Sequence, residues 1–231
     1  RFTVREIGFA DFGVDEYKLY FFKDANSTDE QIESFTKISF AAFLDANVSS
    51  EIIDVNQTGQ EGIEFYKNSD PEMQKLALVS PANDALELLI DRTAANFREE
   101  IWSLLEQVLS SETRENILHN IVKNYAVVLL VNGVDETANQ AAMHMATEAI
   151  DEIKLMMASM PKPVDTPPQI IVVQNKDIDS EKVLLWSLGL DAVKESLPAI
   201  AVLYGRGRQM GRLLPAGAVK ANIVRNLLAF V

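Results

Sequence analysis

The two halves of this chain run through the same order of elements and close on the same device. In the first half Leu76-Ala-Leu-Val79, a polar turn and Leu86-Glu-Leu-Leu89 lead into a helix-like run. In the second half Ile200-Ala-Val-Leu-Tyr204, a turn and Gly211-Arg-Leu-Leu214 do the same. Each pair of strands follows a strand–helix–strand–helix series. Strands joined by helices must lie parallel, because a parallel crossover needs a dozen or more residues. A strand–turn–strand must be antiparallel. Each half is therefore expected to be a mixed β-sheet flanked by helices on both faces, an α/β fold used twice in tandem. The boundary is expected near Ser110-Ser111, giving domains 1–111 and 112–231.

The pattern predicts the elements one by one. Residues 1–13 alternate roughly, with Phe2, Val4, Ile7, Phe9 and Phe12, and read as a strand. Tyr17–Phe22 is a second, more apolar strand. Asp24-Ala-Asn-Ser-Thr28 is turn and cap chemistry, whose short polar side chains accept from the orphan N–H groups of a helix start. A helix then runs to about Ala46, followed by a strand at Glu51–Val55 and a short helix from Gly59 to Asn68. After the hairpin comes a long amphipathic helix carrying Phe97, Ile101, Trp102, Leu104, Leu105 and Val108. In the second half a helix with Ile117 and Ile121 precedes Tyr125–Val131, an unbroken apolar run that suits a strand covered on both faces. Asn132–Thr137 starts a helix that reaches about Met160, where prolines end it. Gln169–Val173 is a strand. Ser180–Leu188 is a helix capped by Asp179 or Ser180, and Val219–Phe230 is the last helix.

Residues 113–231 resemble the thioredoxin-like fold. The resemblance rests on Leu184-Leu-Trp-Ser-Leu-Gly-Leu190, a spacer, and Pro198-Ala-Ile-Ala-Val-Leu-Tyr-Gly-Arg-Gly207. That family carries a helix, a glycine turn, a cis-proline, an apolar strand and a glycine hairpin in this order, and Pro198 matches the cis-proline. The first half resembles the same fold more distantly. No proline immediately precedes Leu76, and Pro71 stands too far upstream. The family's Cys-x-x-Cys would fall at Asp135–Asn139 in the second half and at Asn26–Glu30 in the first. The chain has no cysteine, and dithiol exchange needs a thiolate. The resemblance therefore implies two redox-inactive tandem domains with no catalytic residues and no cofactor, serving as a protein-interaction or scaffold module, chaperone-like in kind. It places the peptide-binding surface at Asp135, Glu136, Thr137, Asn139, Leu197, Pro198 and Ala199. Such a surface accepts an extended peptide by strand-like pairing. The competing reading is a fragment of a larger redox or other enzyme, whose catalytic residues lie outside these 231 residues.

Composition narrows the partners. Residues 1–111 hold 9 Lys and Arg against 21 Asp and Glu, a net of −12, while residues 112–231 hold 12 against 13, a net of −1. An acidic surface of this kind repels phosphate backbones, so no nucleic acid is expected; it reads as a solvated surface or as one for a basic partner or cations, and the protein or peptide partner is what the resemblance implies. No apolar run approaches a membrane span, so no membrane insertion is expected. Arg1 in place of Met is expected to follow a removed segment. Export, including to a periplasm, and a cytoplasmic location both stay open. The two histidines, His119 and His144, lack metal-ligand spacing. Asp24–Thr28 opens like a calcium loop, but Asp29 stands where glycine is required and Phe35 where the bidentate acid belongs. The groups Asp11, Asp15, Glu16 and Asp177, Asp179, Glu181 read as solvated, although an enzyme built on carboxylates would use such clusters. Gly205–Arg212 reads as a hairpin turn with exposed arginines. The methionines of the long second-half helix read as core, with an adaptable patch for a partner as the alternative. Asn26, Asn47 and Asn56 open glycosylation sequons, a signal near what chance supplies.

Overall fold

The computed structural model describes residues 16–66, 70–159, 166–190, 198–205 and 207–231. Among these the chain divides into two compact units, one ending at Leu109 and one beginning at Ser110.

The first unit runs β1 (Tyr17–Lys23), α1 (Asp29–Ala42), β2 (Val48–Asp54), β3 (Met73–Val79), β4 (Ala85–Asp91) and α2 (Phe97–Leu109). The sheet order is β2-β1-β3-β4, with β1 parallel to β2 and the remaining pairs antiparallel. Alternation sorts the side chains. Tyr20, Phe22, Ile53, Ala77 and Val79 face one way and gather Ile63, Phe65 and Tyr66. Leu19, Phe21, Leu76 and Leu78 face the other way, where the Phe21 and Phe35 rings meet at 4.8 Å. That is the side of α1. Its start is set by a reciprocal cap: Thr28 accepts from the Gln31 N–H, and the Gln31 side chain accepts from the Thr28 N–H.

The helix expected from Gly59 is only a 3-10 turn at Ile63–Phe65. Gly59 and Gly62 stand at φ +84° and +91°, where a right-handed helix cannot continue. At Gly62 the backbone lies on the Tyr20 ring, and a Cβ there would sit 2.7 Å from Tyr20 Cζ. The strand expected over residues 1–13 lies outside the described residues.

The second unit runs α3 (Glu112–Ile121), β5 (Val127–Val131), α4 (Glu136–Met157), β6 (Gln169–Val173), α5 (Lys182–Ser187), β7 (Ala199–Tyr204), β8 (Arg208–Gln209), β9 (Leu214–Pro215) and α6 (Ala221–Ala229). Strand order is β6-β5-β7-β8, with β9 also on β7. The sheet is covered on both sides. Val127, Leu129 and Val131 pack with α3 and α5, whereas Ala126, Val128 and Leu130 pack with α4 and α6. This explains the unbroken apolar run of β5.

Two details depart from the sequence pattern. Neither Asp179 nor Ser180 caps α5, which begins at Lys182 without a side-chain cap. Ser180 instead donates to the Asp177 carbonyl (2.8 Å), and buried Glu181 accepts from the Ser111 hydroxyl and the Thr113 N–H (3.0 Å) at the start of α3. The second departure is at the edge. Leu203 pairs with Gln209 and Tyr204 with Arg208, yet Ile200 pairs with Leu214 and Ala199 with Pro215. Two extra residues are therefore looped out between β8 and β9, around Gly211 at φ +72°. The corresponding edge of the first unit, β4, pairs without a break from Ala85 to Asp91.

Candidate functional site

The register of the second sheet brings three segments to one end. Val131, the last residue of β5, pairs with Ala199 at the start of β7 and with Val173 at the end of β6. The chain leaving β5 continues the ladder for one step, as Asn132 N–H donates to the Val173 carbonyl (2.9 Å). It then forms a short loop into α4.

That loop is fastened from inside. Asn139, buried in the first turns of α4, accepts from the Gly133 N–H (2.8 Å) and donates to the Gly133 carbonyl (3.1 Å). Asp135 is the N-cap and accepts from the N–H groups of Thr137 (2.9 Å) and Ala138 (3.3 Å). Glu136 and Thr137 are exposed, and Glu136 accepts from the Gln140 amide (3.1 Å). Pro198 and Ala199 are buried. Six of the seven expected surface residues thus flank the end of β5, three of them exposed. Leu197, and with it the peptide bond preceding Pro198, lies outside the described residues.

Two residues of this loop were not singled out by the sequence. Asn132 donates to the Gln174 side chain (3.1 Å), while its enclosed Oδ1 finds no hydrogen-bond partner among the described residues. Val134 projects into solvent with 71% of its surface free. An Asn-Gly pair closing an apolar strand, followed by an aliphatic residue before a cap, is the signal that marks them.

The matching end of the first unit is filled. Asp24 takes both terminal nitrogens of Arg92 (2.8 and 2.6 Å) and the Asn26 N–H (2.9 Å). Ser27 Oγ lies within bonding distance of Asp24 and Gln74, and buried Gln74 donates to the carbonyls of Phe22 (2.8 Å) and Lys75 (3.1 Å). Burial alone would raise the Asp24 carboxyl. The hydrogen bonds from Arg92, Asn26 and Ser27, with the guanidinium charge, hold it below the usual carboxylate range. Thus an ion pair and a buried amide fill the end of β1 in the first unit.

Among the described residues no group of three His, Cys, Asp or Glu side chains could hold a metal ion. Both histidines are exposed, and His119 lies 2.7 Å from Lys123 Nζ. Glu181, one of the clustered acids, is consumed in capping α3. A cleft of about 200 Å³ in the first unit is lined by Glu16, Glu61, Glu64 and Tyr20. It sits where β1 begins, away from the Asp24 end, and Lys18 is paired with Glu61 there.

No protein-family model matches this chain, and no curated protein does. Among solved structures, a crystal structure of the bb fragment of ERp72 is similar at 12% identity and a TM-score of 0.30, covering 91% of this chain and 86% of that one. The first two thioredoxin domains of Naumovozyma dairenensis Eps1p are similar at 11% identity and 0.25, covering 93% and 90%. At these scores the likeness carries no argument, and topology decides. Each unit is a β–α–β pair joined to an antiparallel hairpin and a closing helix, with the first strand central. Both units have a thioredoxin-like fold. Neither contains a cysteine, so thiol–disulfide exchange within this chain is excluded. No helix among the described residues of these thioredoxin-like units is long and apolar enough to cross a membrane.

Proposed function

We propose that the chain is a non-catalytic protein-interaction module whose second thioredoxin-like unit holds an extended, unfolded peptide at the end of β5. The observation that carries this reading is the loop itself. It is braced by Asn139, it displays an apolar side chain at Val134, and it lies beside the start of β7 at Pro198. A braced loop loses little conformational entropy on binding, which offsets part of the ordering cost that an unfolded peptide pays.

Reduced, carboxymethylated α-lactalbumin is a suitable unfolded probe. Its addition is expected to shift the backbone amide resonances of residues 132–139 and 199–201. Val134→Asp, at an exposed position, is expected to weaken binding by about tenfold, equivalent to roughly 1.4 kcal/mol, without moving the thermal midpoint. Shifts confined to other segments, or equal affinity in Val134→Asp and Pro198→Ala, would remove the basis for this assignment.

A further inference from the structure

We propose that β4 of the first unit is a docking edge for an extended basic segment of a partner protein, which joins the sheet as a fifth strand. This surface belongs to a different unit from the peptide site above and does not depend on it.

The argument begins with the phase of the ladder. Ser80 N–H donates to the Asp84 carbonyl (2.8 Å) at one end, and Arg92 N–H donates to the Glu72 carbonyl (3.1 Å) at the other. An antiparallel pair alternates bonded and non-bonded positions. Leu86, Leu88 and Ile90 therefore turn their N–H and C=O groups toward β3. Ala85, Glu87 and Leu89 turn theirs outward, as does the Asp91 N–H. The Asp91 carbonyl is occupied by the Ala94 N–H (3.4 Å). No other strand among the described residues pairs with β4, which ends the sheet order. An unbroken open edge of seven residues is a template for strand addition.

The second unit handles its equivalent edge differently. There the outer strand is two short pieces, Arg208–Gln209 and Leu214–Pro215, separated by the loop at Gly211. A broken edge of this kind resists pairing. Among the described residues the first unit keeps this edge straight, with charge in place of a break.

The charges select the occupant. Along the outward positions Glu87 and Asp91 are exposed carboxylates, and Leu89 between them is 39% exposed. Neither acid forms an ion pair among the described residues, and Asp91 is ordered by the Thr93 N–H and hydroxyl (both 2.7 Å). A second copy of the chain would bring the same acidic edge and an equally acidic first half, and is repelled. A strand running antiparallel and carrying Lys or Arg, any residue, an aliphatic residue, any residue, then Lys or Arg would set its cations against Asp91 and Glu87. Its aliphatic side chain would lie on Leu89. Directly opposed cross-strand pairs bring Cβ atoms to about 5 Å, close enough for each to count.

The test uses the whole chain and two labelled peptides built on Lys-Thr-Val-Thr-Lys and Glu-Thr-Val-Thr-Glu. Fluorescence anisotropy is expected to show binding of the basic peptide, weakening with added salt, and none of the acidic one. Hydrogen exchange is expected to be fast at the Glu87 and Leu89 amides in the free chain and slowed by the basic peptide. The double variant Glu87→Lys with Asp91→Lys is expected to lose affinity for the basic peptide by about tenfold and to acquire affinity for the acidic one. Leu89→Pro deletes one outward N–H and no bond to β3, and is expected to abolish binding while the thermal melt stays cooperative. Slow exchange at these amides in the free chain, equal binding of both peptides, no binding, or a concentration-dependent dimer that protects the same amides would each overturn the proposal.

Discussion

Arg92 and Asp24 form a well-shielded ion pair at the end of β1. Their side chains are only 7% and 17% exposed, and both terminal nitrogens of the guanidinium are used. Removing the cation leaves a partly buried carboxylate short of two donors. Arg92→Ala is expected to cost about 2–3 kcal/mol in urea unfolding. The same pair sets an acid limit. Asp24 titrates below its ordinary value of 3.8 in the folded chain, so the unfolded chain binds its proton first as pH falls. The stabilisation is complete above that ordinary value and disappears as pH drops through the folded-state pKa. Stability measured from pH 5 to pH 2 is expected to fall less steeply in Arg92→Ala than in the parent chain. Asn139 makes the parallel case without charge. Asn139→Ala strands a donor and an acceptor on buried Gly133, and is expected to destabilise by about 2 kcal/mol. A variant whose stability matched the parent would show that solvent replaces the clasp.

Among the elements, the turn at Gly62 carries the most local constraint. It combines a positive φ with contact on the Tyr20 ring, which is buried and cannot retreat. Gly62→Ala is expected to cost about 2 kcal/mol, read as a lower urea midpoint at unchanged slope. This turn also shows why the sequence misleads there. Ile63, Phe65 and Tyr66 are apolar at spacings a helix tolerates, and only the glycine's handedness, invisible in the letters, decides against one. By contrast the Thr28 cap and the β5 strand were legible, because a cap needs a particular side-chain oxygen and a doubly covered strand needs an unbroken apolar run. At the candidate site Asp135 could be read as a helix start for the same reason. Asn139 could not be read as a clasp, since a polar residue early in a helix ordinarily faces water. Val134 was marked only by its place between the Asn-Gly pair and the Asp135 cap; its exposure follows from how Asn139 holds the loop.

At the scale of the molecule the two units differ most in charge and in their edges. Each holds one tryptophan, Trp102 in the first and Trp186 in the second. Trp102→Phe and Trp186→Phe variants therefore make fluorescence report one unit at a time. The two transitions are expected not to coincide. Moderate salt is expected to raise the midpoint seen by Trp102 more than that seen by Trp186, because it screens the self-repulsion of the half with net charge −12. Superimposable melts at every salt concentration would mean that the units unfold together. The loop at Gly211 has a further consequence, which concerns parity. It holds two surplus residues, an even number, so inward and outward positions keep their sense on either side of it. Excising two residues there would splice β8 to β9 with Leu214 still opposite Ile200, and would turn a capped sheet into one that can grow. Excising one would turn the downstream side chains inside out. Trimming in pairs thus changes the length of the outer edge and leaves the core positions where they are.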